Sequence, residues 1–290
     1  MAKELKAELS DARQAAIDAR LTINTGLARI ILTRFIHDEL HKAGFSRAVI
    51  GLSGGIDSAA TVFLAAEALG AENVLCVRMP HTTSSPDSLT DAQLVIDQLG
   101  VRALTVPIAP MVDPLLELFP DCGPKRRGNI MARTRMVILY DQSAAFDALV
   151  IGTGNKTEIL LGYTTLYGDS AAAMHPLGDL YKTQMRQLAR AMGVPQPIID
   201  KPPSADLWAG QTDEGELGFR YAEVDRLLYL LVDERYSLEE AVDAGFAPAF
   251  VQGVWQRVQR HQYKRLPPLV CKISRRTPGH DFLYLRDWGL

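Results

Sequence analysis

The chain has 290 residues, 47% apolar and 22% charged, and 31 Lys and Arg against 34 Asp and Glu leave a formal charge of −3. That balance excludes general disorder. A near-neutral total gives no reason to expect a nucleic-acid partner. At roughly 150 residues per domain the length corresponds to one or two domains, with a core large enough to need no staples. The longest uncharged stretch, Ala244–Gln256, contains Pro248 and falls short of the roughly 20 residues that cross a bilayer, so no membrane partner is expected. The start, Met1-Ala2-Lys3-Glu4-Leu5-Lys6, mixes charges and has no apolar h-region, so no export leader is expected. Cys76, Cys122 and Cys271 are too few and too far apart for a disulfide framework or a zinc ladder, and they fit a reducing cytoplasm.

Residues 10–43 read as one helix. Ile17 and Leu21 are four apart, and Leu27, Ile30, Ile31 and Phe35 continue the stripe to a stop at Gly44. The segment 1–46 is therefore read as an N-terminal helical arm, either capping the core or offering a dimer face. The remainder, 47–290, is read as a single domain that includes the C-terminal helices. An alternating grammar opens it: strands at Arg47–Leu52, Asn73–Met79, Arg102–Ile108 and Ala148–Gly152. Helical patterns lie between them, up to Leu69, over Asp87–Leu99, Met111–Phe119 and Lys125–Phe146, and from Asn155 onward. Gly70, Gly100 and Gly193 follow helices, where left-handed caps are expected. Alternating strands and helices predict a doubly wound parallel sheet between two helical layers, an α/β fold of αβα type. Beyond Gly193 the prolines at 195, 197, 202 and 203 break the pattern. Ser204–Gly218 reads as a polar loop, and Tyr221–Glu234 and Pro248–Tyr263 read as helices of a C-terminal appendage.

Ser53-Gly54-Gly55-Ile56-Asp57-Ser58 falls between the first strand and its helix, where an open parallel sheet receives its ligand. Two glycines free the backbone N–H groups, and the helix start behind them carries about half a unit of positive charge, so the turn is an anion cradle. Ser53 and Ser58 add hydroxyl donors. Asp57 would repel a phosphate unless Mg²⁺ lies between them. No Gly-Lys-Ser/Thr follows and no G-x-G-x-x-G spacing is present, so neither a Walker A loop nor a dinucleotide fingerprint applies. The plain alternative is a tight turn with a Ser/Asp helix cap. The pattern Ser-Gly-Gly-x-Asp-Ser resembles the pyrophosphate loop of the N-type ATP pyrophosphatases, which cleave ATP between the α and β phosphates and activate a carboxylate or carbonyl as an adenylate.

The fourth strand runs into Gly152-Thr153-Gly154-Asn155-Lys156-Thr157-Glu158. In the topology of that superfamily the first and fourth strands are neighbours, which brings Glu158 opposite Asp57 as a second metal ligand. Asn155 and Glu158 also have the spacing of a capping box, which by itself accounts for both.

Four stretches in order are similar to the NAD synthetase family. They are Val49–Ser58, Gly128–Met136 (Gly-Asn-Ile-Met-Ala-Arg-Thr-Arg-Met), Gly152–Gly162 and Lys201–Leu207 (Lys-Pro-Pro-Ser-Ala-Asp-Leu). Tyr167-Gly168-Asp169, Leu180–Thr183, Gly210–Glu214 and Lys264-Arg265 stand in matching places. The resemblance implies an adenine nucleotide alpha-hydrolase-like fold and the amidation of deamido-NAD with ATP and ammonia. It assigns ATP contacts to the loop Gly51, Leu52, Ser53, Gly54, Gly55, Ile56, Asp57 and Ser58, and to Arg78, Thr153, Lys182 and Ser204. Asp57 and Glu158 match the magnesium ligands. Arg133 and Lys264 match residues on the dinucleotide, with Asp169 and Tyr263 beside them. It also implies a homodimer. Closure of the 204–218 loop would shield the adenylate from water.

Three positions depart from the commoner pattern, and all three resemble dinucleotide contacts: Leu166 for Lys, Ala173 for Asp and Tyr263 for His. They motivate a second reading, amidation of another carboxylate. A third reading is a non-catalytic nucleotide binder, which would need neither Asp57 nor Glu158. No cysteine in 1–46 could serve a glutaminase, so free ammonia is the expected nitrogen donor. By themselves, Arg133 and Arg135 on a helix also read as a solvated face, Ser204 after two prolines reads as a turn residue, and Lys182 is poorly placed at a helix start unless a polyphosphate faces it.

Overall fold

The computed structural model describes residues 14–204, 206–208 and 211–279. The outer ends of the arm and tail lie outside the described residues, as do Ala205 and Gly210 of the quoted motifs. A four-stranded sheet, all parallel, runs in the order β3-β2-β1-β4. Its strands are β1 (Ala48–Gly51), β2 (Val74–Arg78), β3 (Arg102–Thr105) and β4 (Leu149–Val150). The chain moves outward from β1 to β3 and returns to the other side of β1 for β4. Val49 pairs with Val150, so the order reverses between β1 and β4. That reversal opens the crevice expected of a doubly wound sheet.

Alternation along the strands feeds two cores. Ala48, Ile50, Val74 and Cys76 pack against α2 (Thr25–Lys42), α3 (Ile56–Leu69), α4 (Pro86–Leu99) and α8 (Lys182–Met192). Val49 and Val77 point the other way, with Val112 of α5 (Ala109–Glu117) and Met131 and Ile138 of α6 (Pro124–Phe146). A third core joins the C-terminal helices α11 (Tyr221–Leu228), α12 (Leu238–Asp243) and α13 (Pro248–Arg260) to Ile17, Leu21, Leu161 and Tyr181. The C-terminal third thus rests on α7 (Lys156–Leu161) and on the start of α8.

Several expected elements differ. The single helix over 10–43 is two: a helical stretch over 14–20, α1, and then α2. The break has a cause on each side. The Asn24 side chain caps α2 by accepting from the Leu27 amide at 3.0 Å. Gln187 accepts from the Ile23 amide and donates to the Leu21 carbonyl, both at 3.1 Å, which satisfies the backbone that the break frees. Gly100 and Gly193 take the left-handed conformation, whereas Gly70 has φ 87° with an extended ψ of 143°. Pro195 and Pro197 do not break structure. Pro195 is the N-cap and Pro197 sits in the first turn of α9 (Gln196–Asp200), where a missing N–H costs nothing. The stretch 204–218 contains α10 (Asp213–Leu217), started by Thr212 Oγ1, which accepts from the Gly215 amide at 3.2 Å. The helix expected over Tyr221–Glu234 is α11 followed by a wider π turn over Tyr229–Asp233. α12 was not expected; Ser237 and Glu240 close a capping box at its start.

Candidate active site

A cavity of 1010 Å³ opens beyond the carboxyl ends of β1, β2 and β4. It is lined by Gly51, Leu52, Ser53, Gly55, Ile56, Asp57, Ser58, Arg78, Thr153, Glu158, Lys182 and Ser204, and by Arg133, Tyr263, Lys264 and Asp169. Residues spread over more than 200 positions therefore share one chamber. Gly54 is the candidate that does not line it. Its φ of +78° and its contact with α4 explain the glycine: a Cβ there would lie 2.2 Å from the Ser88 carbonyl oxygen.

The loop is braced from within. The Gly55 amide donates to Ser53 Oγ at 3.3 Å, and the Ser58 hydroxyl donates to the Gly55 carbonyl at 2.9 Å. Ser58, 3% exposed, therefore shapes the turn and does not offer its proton to a ligand, contrary to the expectation of two hydroxyl donors. Ser53 remains at the cavity wall, 3.1 Å from Ser58 Oγ.

Asp57, in the first turn of α3, and Glu158, in the first turn of α7, meet at the ammonium of Lys182, the first residue of α8. Lys182 Nζ donates to Asp57 Oδ2 and, at 3.0 Å, to Glu158 Oε1. Asn155 Nδ2 donates to Asp57 Oδ1 at 2.8 Å. The capping box at Asn155 is also real, with the Glu158 amide 3.0 Å from Asn155 Oδ1. Glu158 closes the capping box with one oxygen and meets Lys182 with the other. Lys182 is 2% exposed and lies 5.1 Å from the Tyr221 ring centre. Its place at a helix start, unfavourable for the dipole, is offset by the two carboxylates it bridges.

The charges do not balance. Burial holds the Glu158 carboxyl well above the usual range, Lys182 pulls it down, and Asp57 and Asp213 push it further up. Burial works against the Lys182 ammonium, but Asp57 and Glu158 outweigh it and raise its pKa. Asp213 is itself raised by burial and held by the hydroxyls of Tyr163 and Tyr221, each at 3.1 Å. Three carboxylates thus surround one ammonium. Among the described residues no group of three or more His, Cys, Asp or Glu is gathered for a metal.

Other candidates are already engaged. Arg133 Nε donates to the Leu166 carbonyl at 3.2 Å, so the residue that departs from the family pattern serves through its backbone. Lys264 Nζ donates to the carbonyls of Gly162 (2.7 Å) and Thr164 (2.5 Å). Asp169 accepts from Thr164 Oγ1 at 2.8 Å and from the Thr165 amide at 2.7 Å. Arg78 Nη1 donates to Gln93 at 2.6 Å, and Ser204 Oγ to the Gln211 carbonyl at 2.7 Å. Tyr263 is 58% exposed at the rim, and Ala173 is not among the lining residues.

The strap over 201–208 is clamped to α4. Lys201 Nζ donates to Asp91 at 2.7 Å. Asp206, with φ +50°, accepts from the Ser85 amide at 3.0 Å and from Ser88 Oγ at 3.0 Å. A non-glycine residue in that region is strained, and it is held there by the Ser85 and Ser88 donors at a site wall. Asn155 as a partner of Asp57, Asp213 and the strap anchor Asp206 were not singled out from the sequence. Each acts through a long-range contact, and its neighbours in the chain carry no sign of it.

A doubly wound parallel sheet with a serine–glycine loop and a cavity at its switch point is the architecture of a nucleotide-binding α/β protein. The profile of the NAD synthase family matches residues 30–268, and the chain belongs to that family. It is 56% identical over 271 residues to the NH(3)-dependent NAD(+) synthetase of Trichlorobacter lovleyi, covering 93% of this chain and 99% of that one. Among solved structures it resembles the NMN synthetase of Francisella tularensis, with TM-score 0.77, 32% identity and coverage of 86% and 99%. It also resembles the NH3-dependent NAD synthetase of Campylobacter jejuni in complex with nitrate, with TM-score 0.74, 30% identity and coverage of 86% and 100%.

Proposed function

We infer that this chain is a carbon–nitrogen ligase that amidates deamido-NAD to NAD with ATP and ammonia. The observation that carries the chemistry is the convergence of Asp57, Glu158 and Lys182 from three helix starts at the edge of the serine–glycine loop. The identity of the substrates rests on relatives of nearly equal length that bear the name NH(3)-dependent NAD(+) synthetase. In this reading the substrate carboxylate attacks the α-phosphorus of ATP, the bond to pyrophosphate breaks, and an acyl-adenylate forms. Ammonia then attacks the acyl carbon, and AMP leaves with the bonding pair. The loop amides and Lys182 balance charge that builds on the departing pyrophosphate. Positioning and charge neutralisation suffice, so no covalent nucleophile is needed. We assign Ser53, Arg78, Thr153 and Ser204 to ATP, and Arg133, Lys264, Asp169 and Tyr263 to the dinucleotide side.

We further propose Mg²⁺ as the cation held by Asp57 and Glu158. Hard carboxylate oxygens in a pocket with more acid than base suit it. When bound, it would neutralise charge on the polyphosphate. A homodimer is proposed on the exposed apolar stripe of α2, where Leu27, Ile30 and Ile31 are 54%, 64% and 55% exposed. The cytoplasm is the proposed compartment, because it supplies the ATP.

The test is incubation with ATP, Mg²⁺, ammonium and deamido-NAD, with a mononucleotide acceptor offered in parallel. AMP and NAD are expected in equal amounts. Preference for the mononucleotide would move the substrate assignment, and absence of AMP would overturn the ligase reading. Light scattering in solution checks the dimer.

A further inference from the structure

Arg135 is one of the cations that line the cavity. It lies on α6, and its Nε donates to the Met79 carbonyl at 3.0 Å. Among the described residues its two terminal nitrogens have no hydrogen-bond or ion-pair partner, although the side chain lines the cavity. Arg133 and Arg257 are held in the same way, each by one Nε bond to a backbone carbonyl, of Leu166 and Leu161, whereas Lys201 bonds Asp91, Lys264 the carbonyls of Gly162 and Thr164, and Lys182 its two carboxylates. Burial lowers the pKa of Arg135, and Asp206 and Asp169 raise it. Neither of those carboxylates bonds to it. Asp206 is taken by Ser85 and Ser88, and Asp169 by Thr164 and Thr165.

A guanidinium carries five N–H donors in a planar fork. Here one is tied to backbone, and the other four find no bonded acceptor among the described residues beside the chamber that the side chain lines. The anchor stands beside the glycine loop: a Cβ on Gly51 would lie 3.4 Å from Met79 Cε. A fork of donors without a protein partner, at the cavity wall and with Asp206 and Asp169 as its countercharges, is a receptor for a planar pair of anionic oxygens.

We propose that Arg135 binds a phosphate group of the substrates, its terminal nitrogens donating to phosphate oxygens at the wall between the glycine loop and the 201–208 strap. This goes beyond the assignment of Arg133, and it rests on the nucleotide-ligase reading for which substrates to offer. The phosphate comes from ATP or from the dinucleotide, and the two are separated by experiment.

Wild type, Arg135→Gln and Arg135→Lys are compared for equilibrium binding of ATP alone and of deamido-NAD alone, with unfolding midpoints measured in parallel. Arg135→Gln is expected to weaken one of the two by about 10- to 100-fold and Arg135→Lys to recover part of it. Weakened ATP binding assigns the phosphate to ATP, and weakened dinucleotide binding assigns it to the dinucleotide. In wild type, saturating amounts of that same ligand are expected to protect Arg135 from phenylglyoxal, read by peptide mapping, so the test survives a poorly folding variant. Unchanged affinities with a lowered unfolding midpoint, or no protection by either ligand, would overturn the proposal and leave Arg135 as a brace for Met79. A wild type that binds ATP but fails to make NAD would overturn the amidation reading and leave the arginine test intact.

Discussion

Thr157 and Asp225, 68 residues apart and both fully buried, share a 2.6 Å hydrogen bond that joins α7 to α11. The second oxygen of Asp225 accepts from the Thr183 amide at 2.8 Å, and Thr157 Oγ1 accepts from the Lys182 amide at 2.9 Å. One buried carboxylate thereby sets the start of α8 against the start of α7. Glu158 follows Thr157 and Lys182 precedes Thr183, so the register of the proposed site pair is set from beneath the cavity.

Asp225→Ala removes the acceptor for the Thr157 hydroxyl and the Thr183 amide at once. With both groups buried, the expected loss of stability is about 2–5 kcal/mol, read by chemical denaturation. Asp225→Asn keeps one acceptor oxygen and should cost less. Both variants should lose turnover more than ATP affinity, because the loop Ser53–Ser58 does not touch Asp225.

Asp57→Asn separates function from stability. The variant keeps the shape and the Asn155 neighbourhood but removes one of three carboxylates crowded around Lys182. Pyrophosphate release should fall by at least about 100-fold, as for loss of an electrostatic contact made in the transition state. The unfolding midpoint should not drop, since relief of repulsion with Glu158 and Asp213 offsets the lost ion pair. Near-normal pyrophosphate release in Asp57→Asn would remove Asp57 from the metal assignment.

Gly152 makes room for a histidine. A Cβ there would sit 2.3 Å from His175 Cε1, so Gly152→Ala should displace Thr153 and raise the KM for ATP several-fold, with a stability loss of about 1–3 kcal/mol. Burial keeps His175 below its ordinary pKa, against a pull upward from Ser170 and Asp169. The unfolded chain therefore takes up this proton near pH 6.5 while the folded protein does so only lower. The contribution to stability is whole above that pH and is lost as pH falls through the folded value, with a slope of up to about 1.4 kcal/mol per unit. His175→Gln should flatten this part of the pH–stability curve.

Thiol labelling should separate the three cysteines. Cys271 is exposed, whereas Cys76 and Cys122 are buried. Burial pushes the Cys76 thiol up to about 12, so it holds no thiolate near neutrality. A thiol reagent at pH 8 should modify Cys271 promptly and the other two only on unfolding. Prompt labelling of Cys76 would mean that the sheet core is more open than the packing described here.

The strand–helix alternation and the serine–glycine loop were legible in the sequence, because each is a local pattern, an apolar run or a turn composition, whereas the pairing of Asp57 with Glu158 followed only from the family resemblance. Local chemistry also explains the misreadings. Pro197 was taken for a breaker because its position within a first turn is visible only once Pro195 is seen to cap α9. The arm was read as one helix because its apolar stripe continues through the break, while the side chain that supports the break, Gln187, comes 164 residues later.

What the amino-acid order determined by itself was the strand–helix alternation and the serine–glycine turn with its acid, each of which depends on residues within a few positions of each other. Tertiary structure alone decided how they are used. It placed Lys182 between the acids, turned Lys264 onto backbone carbonyls, left the fork of Arg135 facing the cavity, and hung the site on Asp225. The reason is physical: burial and the distance between charges set the state of an ionisable side chain, and both depend on segments that meet only after the chain has folded.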